Sequence, residues 1–107
     1  MFRNLTPQQL KSHLDNAGIP PILLDVREPW EYQVCRIEGS QHIPMGQILM
    51  RLHELDPQRE TVVICHHGVR SLHVAKVLLS RGFENIINLA GGVDGWAKQV
   101  DPGLPTY

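Results

Sequence analysis

Thr61-Val62-Val63-Ile64-Cys65-His66-His67-Gly68-Val69-Arg70-Ser71 is the stretch on which the chain turns, and Leu72 to Gly82 continues it. Thr61 to Ile64 is a short β-branched run, the pattern of a buried strand. From Ser71 to Arg81 the apolar residues Leu72, Ala75, Leu78 and Leu79 recur at helical spacing, and Gly82 is placed to end that helix. Between strand and helix lies a short loop that starts with a cysteine and ends with an arginine. Such a loop turns backbone N–H groups inward, and the helix adds the positive end of its dipole. Cys65 at the focus would be stabilised as a thiolate and act as a nucleophile. Arg70 would add a cation for an incoming oxyanion. A free cysteine is more often an inert buried filler. Here strand, loop, glycine, arginine and helix start coincide, which favours chemistry.

Outward from this stretch, strands alternate with helices. Thr6-Pro7-Gln8-Gln9 opens a first helix with a capping box and runs to Asn16, with Gly18 as its stop. Leu5 is placed on a short edge strand before it. Ile22 to Val26, apolar apart from Asp25, suits a parallel strand covered on both faces. Asp25, Arg27 and Glu28 fall at that strand's C-terminal end and read as an ion-pair and capping cluster. Pro29 starts a short helix whose Trp30 and Tyr32 are expected in the core. His42-Ile43-Pro44 is at most a very short strand. Gln47 to Leu55 has helical periodicity, ended by Asp56-Pro57. Phe83 to Leu89 is the last strand, and Ala90-Gly91-Gly92 turns tightly into a helix carrying Trp96. The expected architecture is α/β: one domain over residues 1–107, with a central, mostly parallel sheet of about five strands and helices on both faces.

Composition narrows the function. The chain has 107 residues, 42% of them hydrophobic, with a net charge of −1. One core of ordinary size follows. Nothing in the charge favours nucleic acid or an anionic membrane as partner. No apolar run is long enough to cross a bilayer, and the N-terminus lacks the apolar stretch of a secretory signal. The expected compartment is therefore the cytoplasm, where the two cysteines, Cys35 and Cys65, stay reduced. Cys35 is read as a buried filler rather than a partner for a Cys65 disulfide, which would require Cα atoms within roughly 7 Å.

These pieces, in this order, resemble the single-domain rhodanese family. Leu24-Asp25-Val26-Arg27-Glu28 is similar to its first signature, and Trp30-Glu31-Tyr32 to the aromatic-acidic segment that follows. Cys65 to Ser71 looks like the active-site loop. Gly82-Phe83 and Leu89-Ala90-Gly91-Gly92-Val93-Asp94-Gly95-Trp96 match the closing signature. Cys35-Arg36 stands where the family commonly has glycine-histidine. The resemblance implies a rhodanese-like fold and a thiosulfate sulfurtransferase that works without a cofactor. Cys65 would take the outer sulfur of thiosulfate or a similar donor. It would then pass that sulfur from a persulfide to a thiophilic acceptor such as cyanide, a small thiol or a protein cysteine. His66, His67, Gly68, Val69, Arg70 and Ser71 would form the substrate-binding loop, with Gly68 allowing the backbone to turn.

Two further functions are open at this level. A cysteine phosphatase or arsenate reductase has a related loop, longer by one residue than the four between Cys65 and Arg70 here. A non-catalytic docking or regulatory module typically lacks the cysteine. Cys65, His66, His67 and His73 also invite a metal, but adjacent histidines on a tight loop do not easily converge on one ion, and no metal is expected. The two histidines are expected to flank the pocket mouth, partly protonated near neutral pH. The loop itself is expected at the surface, tolerant of an added residue.

Overall fold

Thr61–Ile64 is a strand with all four residues buried, and it lies at the centre of a five-stranded sheet. The computed structural model describes residues 1–107. In chain order the elements are β1 (Phe2–Leu5), α1 (Pro7–Asn16), β2 (Ile22–Asp25), α2 (Pro29–Val34) and β3 (Gln41–His42). Two 3₁₀ turns, Met45–Gln47 and Leu49–Glu54, precede β4 (Thr61–Ile64), α3 (Val69–Ser80), β5 (Ile86–Leu89) and α4 (Gly92–Gln99). The strand order is β1-β5-β4-β2-β3, and every pairing is parallel. The expected sheet is thus present, and it is parallel throughout. Side chains alternate across it. Leu24, Val26, Val63, Cys65 and Ile86 join Val74, Ala75 and Leu78 of α3 in one core. Val62, Ile64, Ile87 and Leu89 join Leu10 of α1 and Val93 and Trp96 of α4 in the other. Cys35 packs in this second core, on the opposite face of the sheet from Cys65.

Several boundaries differ from the sequence expectation, each for a local reason. Helix α1 has the capping box, with Gln9 N–H on the Thr6 hydroxyl at 3.2 Å and Thr6 N–H on the Gln9 carboxamide at 2.9 Å. It ends at Asn16, as expected, where Ala17 turns to an extended conformation (φ −73°, ψ 128°) ahead of Gly18. Helix α3 begins at Val69, two residues early, because Gly68 at φ +100° makes the turn into it. Arg70 and Ser71 therefore sit in its first turn. At its other end, Gly82 at φ +89° and the bond from Phe83 N–H to Leu78 O close the helix as anticipated. The Gln47–Leu55 segment is not an α-helix. Its bonds run three residues apart (Arg51 to Ile48, Leu55 to Leu52), and Arg51 breaks the helical angles. Met45 N–H is held by Val26 O, while Ile48 and Leu55 are both drawn into the core. Phe83 is buried ahead of β5 rather than paired within it.

Helix α2 turns opposite to expectation. Trp30 is 60% exposed, while Glu31 beside it is 4% exposed. Trp30, expected in the core, faces solvent and Tyr32 is only half-buried, while the carboxylate, which would normally face water, is inside. What brings Glu31 inside is its set of partners.

Candidate active site

Cys65 leaves the C-terminal end of β4 and is 1% exposed. In a parallel sheet this edge is where helices begin and sites form. Its sulfur accepts one backbone hydrogen bond, from Gly68 N–H at 3.0 Å, and the thiol donates to the Ser71 hydroxyl at 3.3 Å. Ser71 donates in turn to the side-chain oxygen of Asn88 on β5.

The loop backbone is clamped by α4. Val93 N–H donates to Cys65 O at 2.9 Å and Asp94 N–H to His66 O at 3.1 Å. The approach is so close that a Cβ on Gly92 would lie 2.3 Å from His66 O and 2.4 Å from Cys65 O. A Cβ on Gly68 would lie 3.0 Å from Gly91 N and 3.1 Å from Leu89 O. Reading Ala90-Gly91-Gly92 as a tight turn therefore missed half of its role, which is to let α4 reach the loop. Of the loop expected at the surface, His67 and Val69 are exposed, while Gly68 between them is buried against another backbone.

Arg70 is not a free cation. Its two terminal nitrogens bind the two oxygens of Glu31 at 2.7 and 2.8 Å. Glu31 also accepts Glu28 N–H at 3.0 Å and the Tyr107 hydroxyl at 2.7 Å. The Arg70 hydrogen bonds are the main reason its pKa falls to about 2; burial opposes them, and the Glu28 and Tyr107 hydrogen bonds assist. Glu31 raises the pKa of Arg70 reciprocally.

Asp25 and Arg27 form the ion pair that their positions suggested. Both are fully buried, with Arg27 Nη2 on Asp25 Oδ2 at 2.7 Å. Arg27 also donates to the carbonyls of Glu31 and Cys35 and to the Tyr107 hydroxyl, at 3.2, 2.7 and 2.9 Å. Burial works against its charge, but Asp25 and Tyr107 more than offset that, and its pKa is raised. Glu28 does not join the pair; it is exposed and precedes α2. In the departing segment, Cys35 supplies a carbonyl to Arg27 and Arg36 lies over the Tyr32 ring at 4.5 Å.

Tyr107 is one residue that sequence reasoning missed. It reads as a non-helical tail, and no periodicity marks it. In the fold its hydroxyl bridges Arg27 and Glu31, its ring stacks on His66 at 4.0 Å, and its edge meets Trp30 at 5.5 Å. Burial pushes its phenol up to about 12.

His66 and His67 lie side by side, with ring centroids 3.9 Å apart. Burial, and then His67, lower the pKa of His66, so this ring favours the neutral form and does not supply the partial charge expected of it. Its Nε2 is buried without a hydrogen-bond partner. His67 and Asp94 complete the group best placed to hold a metal ion, with ligand atoms within 4.8 Å of one another. The two imidazole rings are tilted by 35° to one another, His66 is stacked on Tyr107, and Asp94 already binds Lys98 at 2.9 Å. Val69, 76% exposed, points away from the sulfur into solvent. Of the proposed loop, Gly68, Arg70 and Ser71 are thus engaged around Cys65, and His66 borders it. Val69 and His67 are turned outward.

Comparison with known proteins agrees with this arrangement. The rhodanese-like domain family matches residues 6–99. The thiosulfate sulfurtransferase GlpE of Haemophilus influenzae is 32% identical over 99% of this chain and 98% of its own length. The rhodanese-like/PpiC domain-containing protein 12 of Arabidopsis thaliana is 37% identical, but the match covers only 30% of it. The probable adenylyltransferase/sulfurtransferase MoeZ of Mycobacterium tuberculosis is 36% identical over 26% of its length. This chain therefore spans less than a third of those two larger relatives. A crystal structure of a rhodanese-like domain protein from Staphylococcus aureus superposes with a TM-score of 0.83 over 98% of both chains, at 28% identity. No helix here is long and apolar enough to cross a membrane. With its all-parallel sheet in the order β1-β5-β4-β2-β3 and a cysteine loop clamped between α3 and α4, the chain belongs to the rhodanese-like family.

Proposed function

We propose that the protein is a sulfurtransferase that carries a sulfane sulfur on Cys65. The observation that carries this reading is the setting of the Cys65 sulfur. It lies at the start of a four-residue loop, with the Gly68 N–H 3.0 Å away and the first turn of α3 beside it. In the first half-reaction a Cys65 thiolate attacks the outer sulfur of thiosulfate or a similar donor. The donor's S–S bond breaks and sulfite leaves with the electron pair. In the second, an acceptor such as cyanide, a small thiol or a protein cysteine attacks the outer sulfur of the persulfide, and Cys65 leaves as thiolate. A persulfide is a polarisable anion, and fixed backbone donors suit it without a side-chain base. His66, Gly68, Arg70 and Ser71 shape the site. Arg70 reaches a donor anion only as one half of its pair with Glu31, so its contribution is orientation more than net charge. The chemistry needs no metal or cofactor.

The relatives support the same class. One is named a thiosulfate sulfurtransferase and matches along nearly its whole length. Another is named a putative sulfur carrier protein, YrkF of Bacillus subtilis, at 38% identity over 74% of this chain and 43% of its own. The test is thiosulfate:cyanide sulfur transfer by wild type and Cys65→Ser, beside hydrolysis of an aryl phosphate. Sulfur transfer that depends on Cys65, without phosphatase activity, is the expected result. Phosphate hydrolysis alone would overturn the reading.

A further inference from the structure

Asn88 lies on β5 with its side chain buried, 2% exposed. Its amide nitrogen donates to Gly68 O at 3.2 Å and to Asn4 Oδ1 at 2.9 Å. A backbone carbonyl can only accept, so the NH₂ end must face Gly68, and the oxygen end must face Ser71. The Ser71 hydroxyl has a single proton, and it gives that proton to Asn88. Toward Cys65 it therefore presents a lone pair.

A thiol fits this arrangement. It gives its proton to Ser71 and accepts the Gly68 N–H. A thiolate does not, because it has no proton to give and meets a lone pair. For Ser71 to donate to the sulfur anion, its proton must turn away from Asn88. That leaves a buried carbonyl oxygen without its donor, which opposes the turn. A persulfide differs again. Its charge sits on the outer sulfur, Cys65 Sγ is uncharged, and Ser71 can stay on Asn88.

We propose that Asn88 is a positioning residue that, by claiming the Ser71 proton, biases Cys65 toward the thiol and against the thiolate. Resting on the sulfur-carrier reading, a consequence follows for turnover. During discharge the acceptor attacks the outer sulfur, the S–S bond breaks, and Cys65 leaves with the electron pair as thiolate. That leaving group is the species Asn88 disfavours, so Asn88 slows discharge and holds the loaded state.

The other charged and titratable groups around the loop are Arg70 with Glu31, Tyr107 from the tail, His66 and His67, and Asp94 with Lys98 from α4. None of them is hydrogen-bonded to the Asn88 side chain, whose partners are Ser71, Asn4 and Gly68. The test is the pH profile of Cys65 alkylation by iodoacetamide, followed on the Cys65 peptide so that Cys35 does not contribute. Wild type, Asn88→Ala, Ser71→Ala and the double variant are compared. Local opening alters the alkylation rate but not the midpoint of the profile.

Asn88→Ala frees the Ser71 proton for the thiolate, and the midpoint is expected to fall by about one pH unit, the size of a charge-assisted hydrogen bond. In the Ser71→Ala background the same change is expected to move nothing. An unchanged or raised midpoint in Asn88→Ala, or an equal shift in both backgrounds, would overturn the proposal. Should Asn88→Ala fail to fold, Ser71→Ala alone decides. A midpoint at or below that of wild type supports Asn88 holding the proton, and a rise of half a unit or more shows that Ser71 serves the thiolate directly. None of these readouts needs sulfur transfer. A protein that never loads sulfur therefore sinks the functional reading and leaves the role of Asn88 decided.

Discussion

Arg70 and Glu31, 39 residues apart in the chain, meet through two parallel hydrogen bonds of 2.7 and 2.8 Å. The pair joins the first turn of α3, where the cysteine loop ends, to α2 on the far side of the site entrance. Arginine's planar fork matches a carboxylate in this geometry. The sequence suggests a free arginine awaiting an anion. The fold shows an arginine already committed, with a carboxylate that is itself held by Glu28 N–H and Tyr107.

The pair gives stability a defined pH dependence. Glu31 has its pKa lowered from 4.5 to about 2. Its contribution is therefore complete above about pH 4.5 and fades as the pH falls toward 2. Glu31→Gln should lower the melting temperature at pH 7, and the gap from wild type should close between pH 4.5 and 2. A gap that persists unchanged at pH 2 would show that the charge of Glu31 is not what stabilises.

Arg70→Ala leaves Glu31 buried without its cation. Removing one partner of such a pair costs about 3–5 kcal/mol when both are buried, and less here because the Arg70 side chain is one-third exposed. Arg70→Ala combined with Glu31→Gln should be more stable than Arg70→Ala alone. Denaturant unfolding of the four proteins of this cycle measures the coupling. Strict additivity would contradict it.

Asp25→Asn tests the fully buried pair. Arg27 would keep its carbonyl partners and lose its counter-ion, a change of about 3–5 kcal/mol. Because Arg27 also holds the Cys35 carbonyl and the Tyr107 hydroxyl, the tail should loosen as well. Hydrogen exchange around Tyr107 reports this. A destabilised protein whose tail stays protected would place the role of Arg27 in the core alone.

Gly92→Ala should disable the site from outside it. At φ +59° a Cβ would collide with the carbonyls of Cys65 and His66. Backbone strain and overpacking together amount to about 2–5 kcal/mol. Either the loop shifts so that the Gly68 N–H leaves the Cys65 sulfur and sulfur loading is lost, or the protein unfolds at lower temperature. A variant that loads sulfur normally at unchanged stability would mean that the clamp of α4 on the loop is dispensable.

What was legible in the sequence was local. The β-branched run at Thr61–Ile64, the capping box at Thr6, and the cysteine, glycine and arginine between strand and helix carry their meaning within a few residues. The Asp25–Arg27 pair, two residues apart, belongs with them. What escaped depends on contacts between distant segments. Glu31 was hidden between two aromatic residues that looked more like core, and it is buried only because Arg70 and Tyr107 arrive from elsewhere. Asn88 lies in an otherwise apolar strand, a buried polar residue that needs partners. That oddity was the one available signal, although Asn4 becomes its partner only once β1 and β5 pair, and Ser71 and Gly68 only once β4 and β5 do. Gly92 looked like a turn because nothing local announces a backbone 2.4 Å from its missing Cβ.

The most direct measurement is the intact mass of the reduced protein after incubation with thiosulfate, for wild type and Cys65→Ser. The account predicts that wild type gains the mass of one sulfur atom, that cyanide removes it with release of thiocyanate, and that the serine variant gains nothing. A wild-type protein that stays unmodified, or a sulfur that is carried equally well without Cys65, would contradict it.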